Sequence, residues 1–165
     1  MASNANTTQA PDSAQFHSFR EAYKYFLESG FLFQSIPEIG ELLETCGPDA
    51  ESTDGFNKYF RDIVFAYPHL KKILELYPQN PVFARTIRAD PIRYRAFTVD
   101  TKVDGNPGHP VMVYVWPRNT TLDLAVGSQA VEFTAVESNR LFYIPYPQIQ
   151  GHLAEVHAQM DGGGM

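Results

Sequence analysis

Two prolines enclose the strongest β-forming run in the chain. The run reads VMVYVW, residues 111–116, and it lies between Pro110 and Pro117. β-Branched and aromatic residues favour strands, and a continuous apolar run of this length is typical of a strand covered on both faces. Proline has no N–H to donate to a ladder, so the two prolines mark the ends of the strand. We therefore expect the rest of the chain to pack around a short buried strand.

The β pattern continues beyond this run. Leu122, Leu124 and Val126 alternate with polar or small residues, which is the period of a half-buried strand. Residues 131–135 and 141–144 predict two further strands, with polar turns between them. Short antiparallel strands joined in this way predict a jelly roll or a partial barrel.

The first half of the chain has helical periodicity instead. An aromatic stripe predicts a helix that begins near residue 14 and ends at Gly30, a typical C-terminal cap. Ser35 and Glu38 have the spacing of a capping box for a second helix. Residues 55–67 and 69–77 predict two more helices. The stripe of the first helix consists of Phe16, Phe19, Tyr23, Phe26 and Leu27.

After Pro147 the periodicity is weak. Residues 149–160 are compatible with a short helix that carries Leu153 and Val156. The predicted fold class is α+β, with a helical N-terminal half packed on an antiparallel sheet that is jelly-roll-like or partly barrel-like.

The length of 165 residues predicts a single domain. Residues 1–13 are small and polar and are predicted to be a disordered tail. The globular domain is expected to span residues 14–160, helical over 14–80 and mainly β over 91–147. Residues 161–165 contain three consecutive glycines and are predicted to be flexible.

Charge and composition narrow the function classes. The net charge of -6 argues against nucleic acid as the main partner, because phosphate binding needs a basic face. No apolar run approaches the roughly 20 residues that span a bilayer. The N-terminus lacks the features of a secretory signal, and the single cysteine excludes an internal disulfide framework. These features predict a cytoplasmic protein; the oligomeric state is left open.

The sequence contains no convincing catalytic or metal motif. Cys46 precedes Gly47 at a predicted helix C-terminus, where the partial negative charge disfavours a thiolate. A nucleophile elbow has a glycine two residues before the serine and another two residues after it, and Ser128 has neither. No histidine is followed two residues later by an acid, which is the usual iron-ligand pair. Convergence of Asp100 or Asp104 with His109 and a C-terminal histidine stays open, but we predict no metal and no cofactor.

Two groups of residues suit ligand binding. Arg93 and Arg95 share a strand face beside Tyr94, where guanidinium groups can hold a carboxylate or phosphate. Aromatic residues of the β segment, including Tyr114, Trp116 and Tyr143, can line an apolar pocket. The same aromatic residues are also compatible with an ordinary packed hydrophobic core. The candidate ligand-binding residues are Arg93, Tyr94, Arg95, Tyr114, Trp116 and Tyr143.

The stretch VMVYVWPRNTTLDLAVGSQ, residues 111–129, resembles the middle of the phytanoyl-CoA dioxygenase-like proteins. In that family two strands on a double-stranded β-helix lead to a Gly-Ser-His turn; here Gln129 stands in place of the histidine. The family's iron-binding H-x-D would fall within residues 97–104, where it is absent. The resemblance implies a truncated or metal-free jelly-roll relative. The character of the chain also resembles small fungal proteins of biosynthetic pathways.

Three functions are compatible with this sequence. The first is a small soluble, metal-free protein that binds a small apolar molecule in an aromatic-lined pocket, as an accessory protein of a fungal-type biosynthetic pathway. The second is an enzyme, either a divergent non-haem iron/2-oxoglutarate oxygenase or a cofactor-free isomerase or cyclase acting on a small apolar metabolite. The third is a protein-interaction domain that uses the helical half.

Overall fold

A computed structural model describes residues 8–50, 52–77, 95–98, 111–134, 136–138, 141–149 and 152–165. Within these ranges the fold is α+β, as the sequence predicts. The helices are α1 (Phe19–Ser29), α2 (Pro37–Cys46), α3 (Thr53–Tyr59), α4 (Arg61–Ala66) and α5 (Pro68–Leu74). The strands are β1 (Thr8–Gln9), β2 (Arg95–Thr98), β3 (Thr120–Ala125), β4 (Val136–Ser138), β5 (Leu141–Pro145) and β6 (Glu155–Met160).

Helix α1 begins later than its aromatic stripe suggests, because Ser18 provides the cap. The Ser18 side chain accepts a hydrogen bond from the Glu21 amide at 3.2 Å. The Glu21 carboxylate in turn accepts one from the His17 amide at 3.0 Å, an arrangement close to a capping box. The helix ends at Gly30, whose φ of 86° is the predicted left-handed cap.

Helices α2 and α5 begin at prolines, where the missing N–H costs nothing. The predicted capping box at Ser35 is wrong: Ile36 is the N-cap of α2, with no side-chain hydrogen bond. The single helix predicted over 55–67 is two helices that meet at Phe60. The Phe60 side chain is only 1% exposed, so burial of this large ring stabilises the break.

One sheet has the strand order β1-β6-β3. Strands β3 and β6 are antiparallel, with Leu122 opposite Ala158 and Asp123 opposite His157, and β1 joins β6 in parallel. The helix predicted over 149–160 is therefore wrong in its second half. Ala158 is fully buried while Gln159 is exposed, so burial alternates with the period of a strand. The side chains at the buried positions are small or flexible, which makes this period hard to see in the sequence.

The other sheet has the order β2-β5-β4, and both pairs are antiparallel. The predicted strands at 141–144 and 122–126 are confirmed, with small shifts in their ends, by β5 and β3. The predicted strand over 131–135 is wrong in its described part, because residues 131–134 belong to no strand. A jelly roll or barrel stays a prediction, since these two sheets do not close within the described residues.

The run at 111–116 differs from the buried strand that its composition predicts. Residues 111–115 have no helix, turn, bend or ladder, and Trp116 alone forms an isolated antiparallel bridge, to Gly164. Each residue of the run is half-buried rather than fully covered. The strand predicted over 111–116 is therefore wrong among the described residues, apart from the bridge at Trp116.

Both predicted tails contribute packed residues. Within the described part of the first tail, β1 pairs with β6 and the Ser13 side chain is 1% exposed. At the other end, Gly163 and Gly164 are buried, and Met165 exchanges two backbone hydrogen bonds of 2.9 Å with Gln34. These glycines permit close backbone approach, because a Cβ on Gly163 would lie 2.6 Å from the Gly40 Cα.

Three apolar clusters form the described core. The first joins β3, β6 and Phe33, and the second joins α2, the buried Phe60 and Ala50. The third contains Phe133, Ile144 and Ile149. Trp116 packs against the first cluster and Val115 against the second, so the 111–116 run lies where these two clusters meet.

Candidate functional site: the aromatic run at residues 111–116

The structure places the six predicted site residues in different parts of the chain. Arg93 and Tyr94 lie outside the described residues. Arg95 lies in β2 and Tyr143 in β5, on strands that pair antiparallel with Phe97 opposite Tyr143; the structure gives the backbone position of these two residues. Tyr114 and Trp116 are described in full, and they are close together.

The rings of Tyr114 and Trp116 form a stacked pair. Their centroids are 5.7 Å apart and their planes differ by 21°. Residues two apart project on the same side of an extended chain, which is why this spacing can stack two rings. Gly164 holds the backbone of Trp116 through two hydrogen bonds. The Trp116 amide donates to the Gly164 carbonyl at 2.8 Å, and the Trp116 carbonyl accepts from the Gly164 amide at 3.1 Å. The pair is therefore anchored at one end.

Tyr114 adds a polar group to this apolar surface. Burial raises the pKa of the Tyr114 hydroxyl above its ordinary value of 10.0, because desolvation disfavours the phenolate. The hydroxyl is thus protonated at neutral pH and can donate a hydrogen bond. It makes no hydrogen bond to any residue that the structure describes. Two half-buried rings and one available hydroxyl can hold a flat apolar molecule that carries an acceptor.

A second polar arrangement lies on the outer face of the β3–β6 pair. The His157 Nδ1 atom is 2.8 Å from the Asp123 Oδ1 atom. One step along the ladder, the Thr121 hydroxyl donates to the Gln159 side chain at 2.7 Å. Metal-ligand spacing in the sequence does not indicate the His157–Asp123 pair; the only local signal is the alternation of β3, which puts Asp123 on the polar face.

This pair is not part of a larger cluster of ligands. In the described ranges, no group of three or more His, Cys, Asp or Glu residues is placed to hold a metal ion. Asp100, Asp104 and His109, which the sequence leaves open as metal ligands, lie outside those ranges. The chemistry visible at His157 is an imidazole oriented by a carboxylate, with its Nε2 atom left for other partners.

Gln129 caps helix α1. Its Nε2 atom donates to the carbonyls of Leu27 and Glu28 at 2.9 and 3.3 Å, which have no helical partner at a C-terminus. The adjacent Gly127 amide donates to the Ser29 carbonyl at 2.8 Å. Gln129 thus has a structural role at the C-terminus of α1.

A shallow depression of about 370 Å³ opens beside helix α3. Most of the residues that line it are polar, and its Lys58 amine donates to the Tyr59 hydroxyl at 2.8 Å. It does not match the predicted aromatic-lined pocket. The lining residues are Asp49, Ser52, Asp54, Gly55, Lys58 and Tyr59.

The aromatic stripe of α1 is neither fully buried nor an open patch. Phe16 and Phe19 are half-buried, and each contacts a neighbouring ring: Phe16 lies 5.3 Å from Tyr25, and Phe19 lies 5.5 Å from Tyr23. Leu27 is the exposed member of the stripe, at 53%. An interaction domain on the helical half stays a prediction.

No family model, curated protein or solved structure matches this chain. Within the described part, no helix has the length and apolar character needed to cross a membrane.

Proposed function

We propose that this chain binds a small, flat, largely apolar molecule on the Tyr114–Trp116 pair. The observation that carries this proposal is the stacked, half-buried geometry of the two rings. Aromatic faces attract flat ligands through dispersion and offset stacking, at about 0.5–1.5 kcal/mol per ring pair beyond buried area. The Tyr114 hydroxyl fixes the ligand through one hydrogen bond, so the preferred ligand has a carbonyl or ether oxygen at its edge.

The structure of the run is suited to specific binding rather than to nonspecific hydrophobic adsorption. Its backbone is anchored at Trp116 by Gly164, and its Val115 side chain is held by the cluster of α2 and Phe60. A preorganised surface loses little conformational entropy when a ligand arrives. An accessory or carrier role in the handling of an apolar metabolite follows from such a site.

Trp116 makes this proposal directly testable, because it is the single tryptophan of the chain. We expect flat aromatic ketones to change its fluorescence in a saturable manner, and saturated ketones of equal size to bind more weakly. Tyr114→Phe removes the hydrogen bond and should weaken ketone binding about 3- to 10-fold, the value of one net hydrogen bond. Tyr114→Ala should weaken it further.

Leu76→Ala serves as the control, because Leu76 is 58% exposed on another part of the molecule. The proposal fails if no flat ketone gives a saturable change, or if the wild type and Tyr114→Ala bind with equal affinity.

The resemblance to phytanoyl-CoA dioxygenase-like proteins, with its jelly-roll architecture, stays a separate proposal. It predicts that Fe(II) and 2-oxoglutarate together raise the unfolding temperature under anaerobic conditions. A ligand at 100 times its Kd that binds only the native state adds about 2.7 kcal/mol. A shift that requires both additions would favour the oxygenase over simple binding.

A further inference from the structure

The backbone of the 111–115 segment lacks a hydrogen-bond partner among the described residues. It contains no helix, turn or bend, and its amides and carbonyls make no hydrogen bond to any described residue. All five residues are half-buried, so the segment is partly shielded from water although no described residue bonds to its backbone. A backbone edge of this kind favours the addition of another strand.

The hydrogen bonds of Trp116 determine the direction in which the backbone amides and carbonyls of residues 111–115 point. Its amide and carbonyl are both directed at Gly164. In an extended chain the amide and carbonyl of one residue point to the same side, and successive residues alternate. The backbone groups of Val111, Val113 and Val115 therefore point away from Gly164, along one open edge.

We propose that two copies of this chain pair antiparallel through residues 111–115, on a two-fold axis at Val113. In this register Val113 faces itself, and Val111 faces Val115 of the second copy. These are the residues whose backbone groups point to the open edge, so they form hydrogen-bonded pairs. Each such pair exchanges both of its bonds, which gives about six hydrogen bonds across the axis.

The sequence of the run fits this self-pairing. VMVYV reads nearly the same in both directions, so the two-fold operation places valine against valine and Met112 against Tyr114. The Met112–Tyr114 pairs occupy the closely spaced positions of an antiparallel ladder. There a thioether contacts an aromatic ring, which is a favourable contact.

Nothing in the run opposes such pairing. Residues 111–116 contain no charged side chain, the usual device that protects a strand edge. Arg118 does not provide that protection either, because its guanidinium contacts Glu41 and Glu44 on α2 at 2.9 and 3.7 Å. The flanking prolines limit the ladder to this short segment, which favours a closed dimer over a fibre.

A charge swap at Val113 tests the register. Identical charges face each other on the axis in Val113→Glu or Val113→Lys, so either variant alone should raise the dimer dissociation constant on the order of tenfold or more. An equimolar mixture of the two variants should restore the wild-type constant. Sedimentation velocity over a concentration series measures all four samples, and circular dichroism verifies that each variant is folded.

A cross-linking arm keeps the test valid if a charged variant does not fold. In a Cys46→Ser background, Val113→Cys places two thiols on residues with Cα atoms about 5.5 Å apart, within disulfide range. Mild oxidation should give a covalent dimer. Leu27→Cys, at an exposed position of α1, is the matched control and should give no covalent dimer.

Three results would overturn the dimer. They are a wild type that is monomeric at every concentration, variants that dimerise as well as the wild type, and a variant mixture that does not recover. This test does not depend on ligand binding. The dimer can therefore be disproved while the proposed small-molecule site is supported, and the small-molecule site can be disproved while the dimer is supported.

Discussion

At the scale of single residues, Tyr114 carries the clearest titration effect in the proposed site. Its pKa is raised because burial disfavours the phenolate. A group with a raised pKa in the folded state holds its proton longer than in the unfolded chain. Its stabilising contribution is therefore complete below the unfolded pKa of about 10 and is lost as the pH rises through the folded value.

We expect the free energy of unfolding to fall above about pH 10, and Tyr114→Phe to reduce that slope. Denaturant titrations at several pH values measure the slope directly. Burial also raises the pKa of Tyr25, Tyr67 and Tyr77, so part of the slope should persist in the variant. An unchanged slope would mean that Tyr114 is as hydrated in the folded chain as in the unfolded one.

Gln129 provides a second prediction at this scale. Gln129→Ala removes the two hydrogen bonds that cap α1, and we expect a loss of about 1 kcal/mol in the free energy of unfolding. Gln15→Ala is the matched control, because Gln15 is exposed and no hydrogen bond of its side chain to a described residue was found. Equal effects of the two substitutions would show that the cap contributes nothing measurable.

At the scale of elements, β6 shows how tertiary pairing overrides a local pattern. Leu153 and Val156 are compatible with a helical face, but six residues of β6 find partners on β3. The ladder satisfies the backbone along its whole length, and it places Leu122 and Leu124 beside buried Ala158. The free-energy difference between local helix and strand propensities is smaller than the contribution of such strand pairing.

Adjacent substitutions test the burial alternation of β6. Ala158 is fully buried, so Ala158→Lys places an unpaired charge in the core and should cost at least about 3 kcal/mol or prevent folding. Gln159→Lys, on the exposed face beside Asp161, should change the free energy of unfolding by less than about 1 kcal/mol. Chemical denaturation compares the two. Similar losses at both positions would contradict the alternation of β6.

At the scale of the whole molecule, the glycine-rich end connects distant parts of the chain. Gly164 hydrogen-bonds to Trp116, and Met165 pairs with Gln34. Gly163 has a φ of 96° and lies against the backbone of Gly40. The segment thereby joins the proposed site to helix α2.

Gly163→Ala tests this connection. The substitution combines a left-handed φ with a Cβ 2.6 Å from the Gly40 backbone, and relief of that clash must separate two segments. Gly127→Ala is the matched control, since its φ is 77° and the nearest atom to the added Cβ is 3.9 Å away. We expect about 1–2 kcal/mol for the control, the cost of the left-handed conformation. The loss should be larger for Gly163→Ala; equal losses would show that the close approach contributes nothing.

The sequence by itself determined the class of the fold and many of its local elements. A glycine cap and period-two alternation predicted the end of α1 and β3, because these signals act within a few residues. The two-residue spacing of Tyr114 and Trp116 is also visible in the sequence, and on an extended run it would place the two rings on one side. That part of the candidate site was predictable, whereas the ligand class depends on the hydroxyl environment that burial creates.

Only the tertiary structure decided the roles of the two ends and of the 111–116 run. The glycines at 162–164 suggest flexibility by composition, yet their lack of side chains permits the close packing seen against α2. The 111–116 run has the composition of a covered strand, but no described strand lies beside residues 111–115. Pairing between distant segments is a property of long-range contacts, which local residue patterns do not encode.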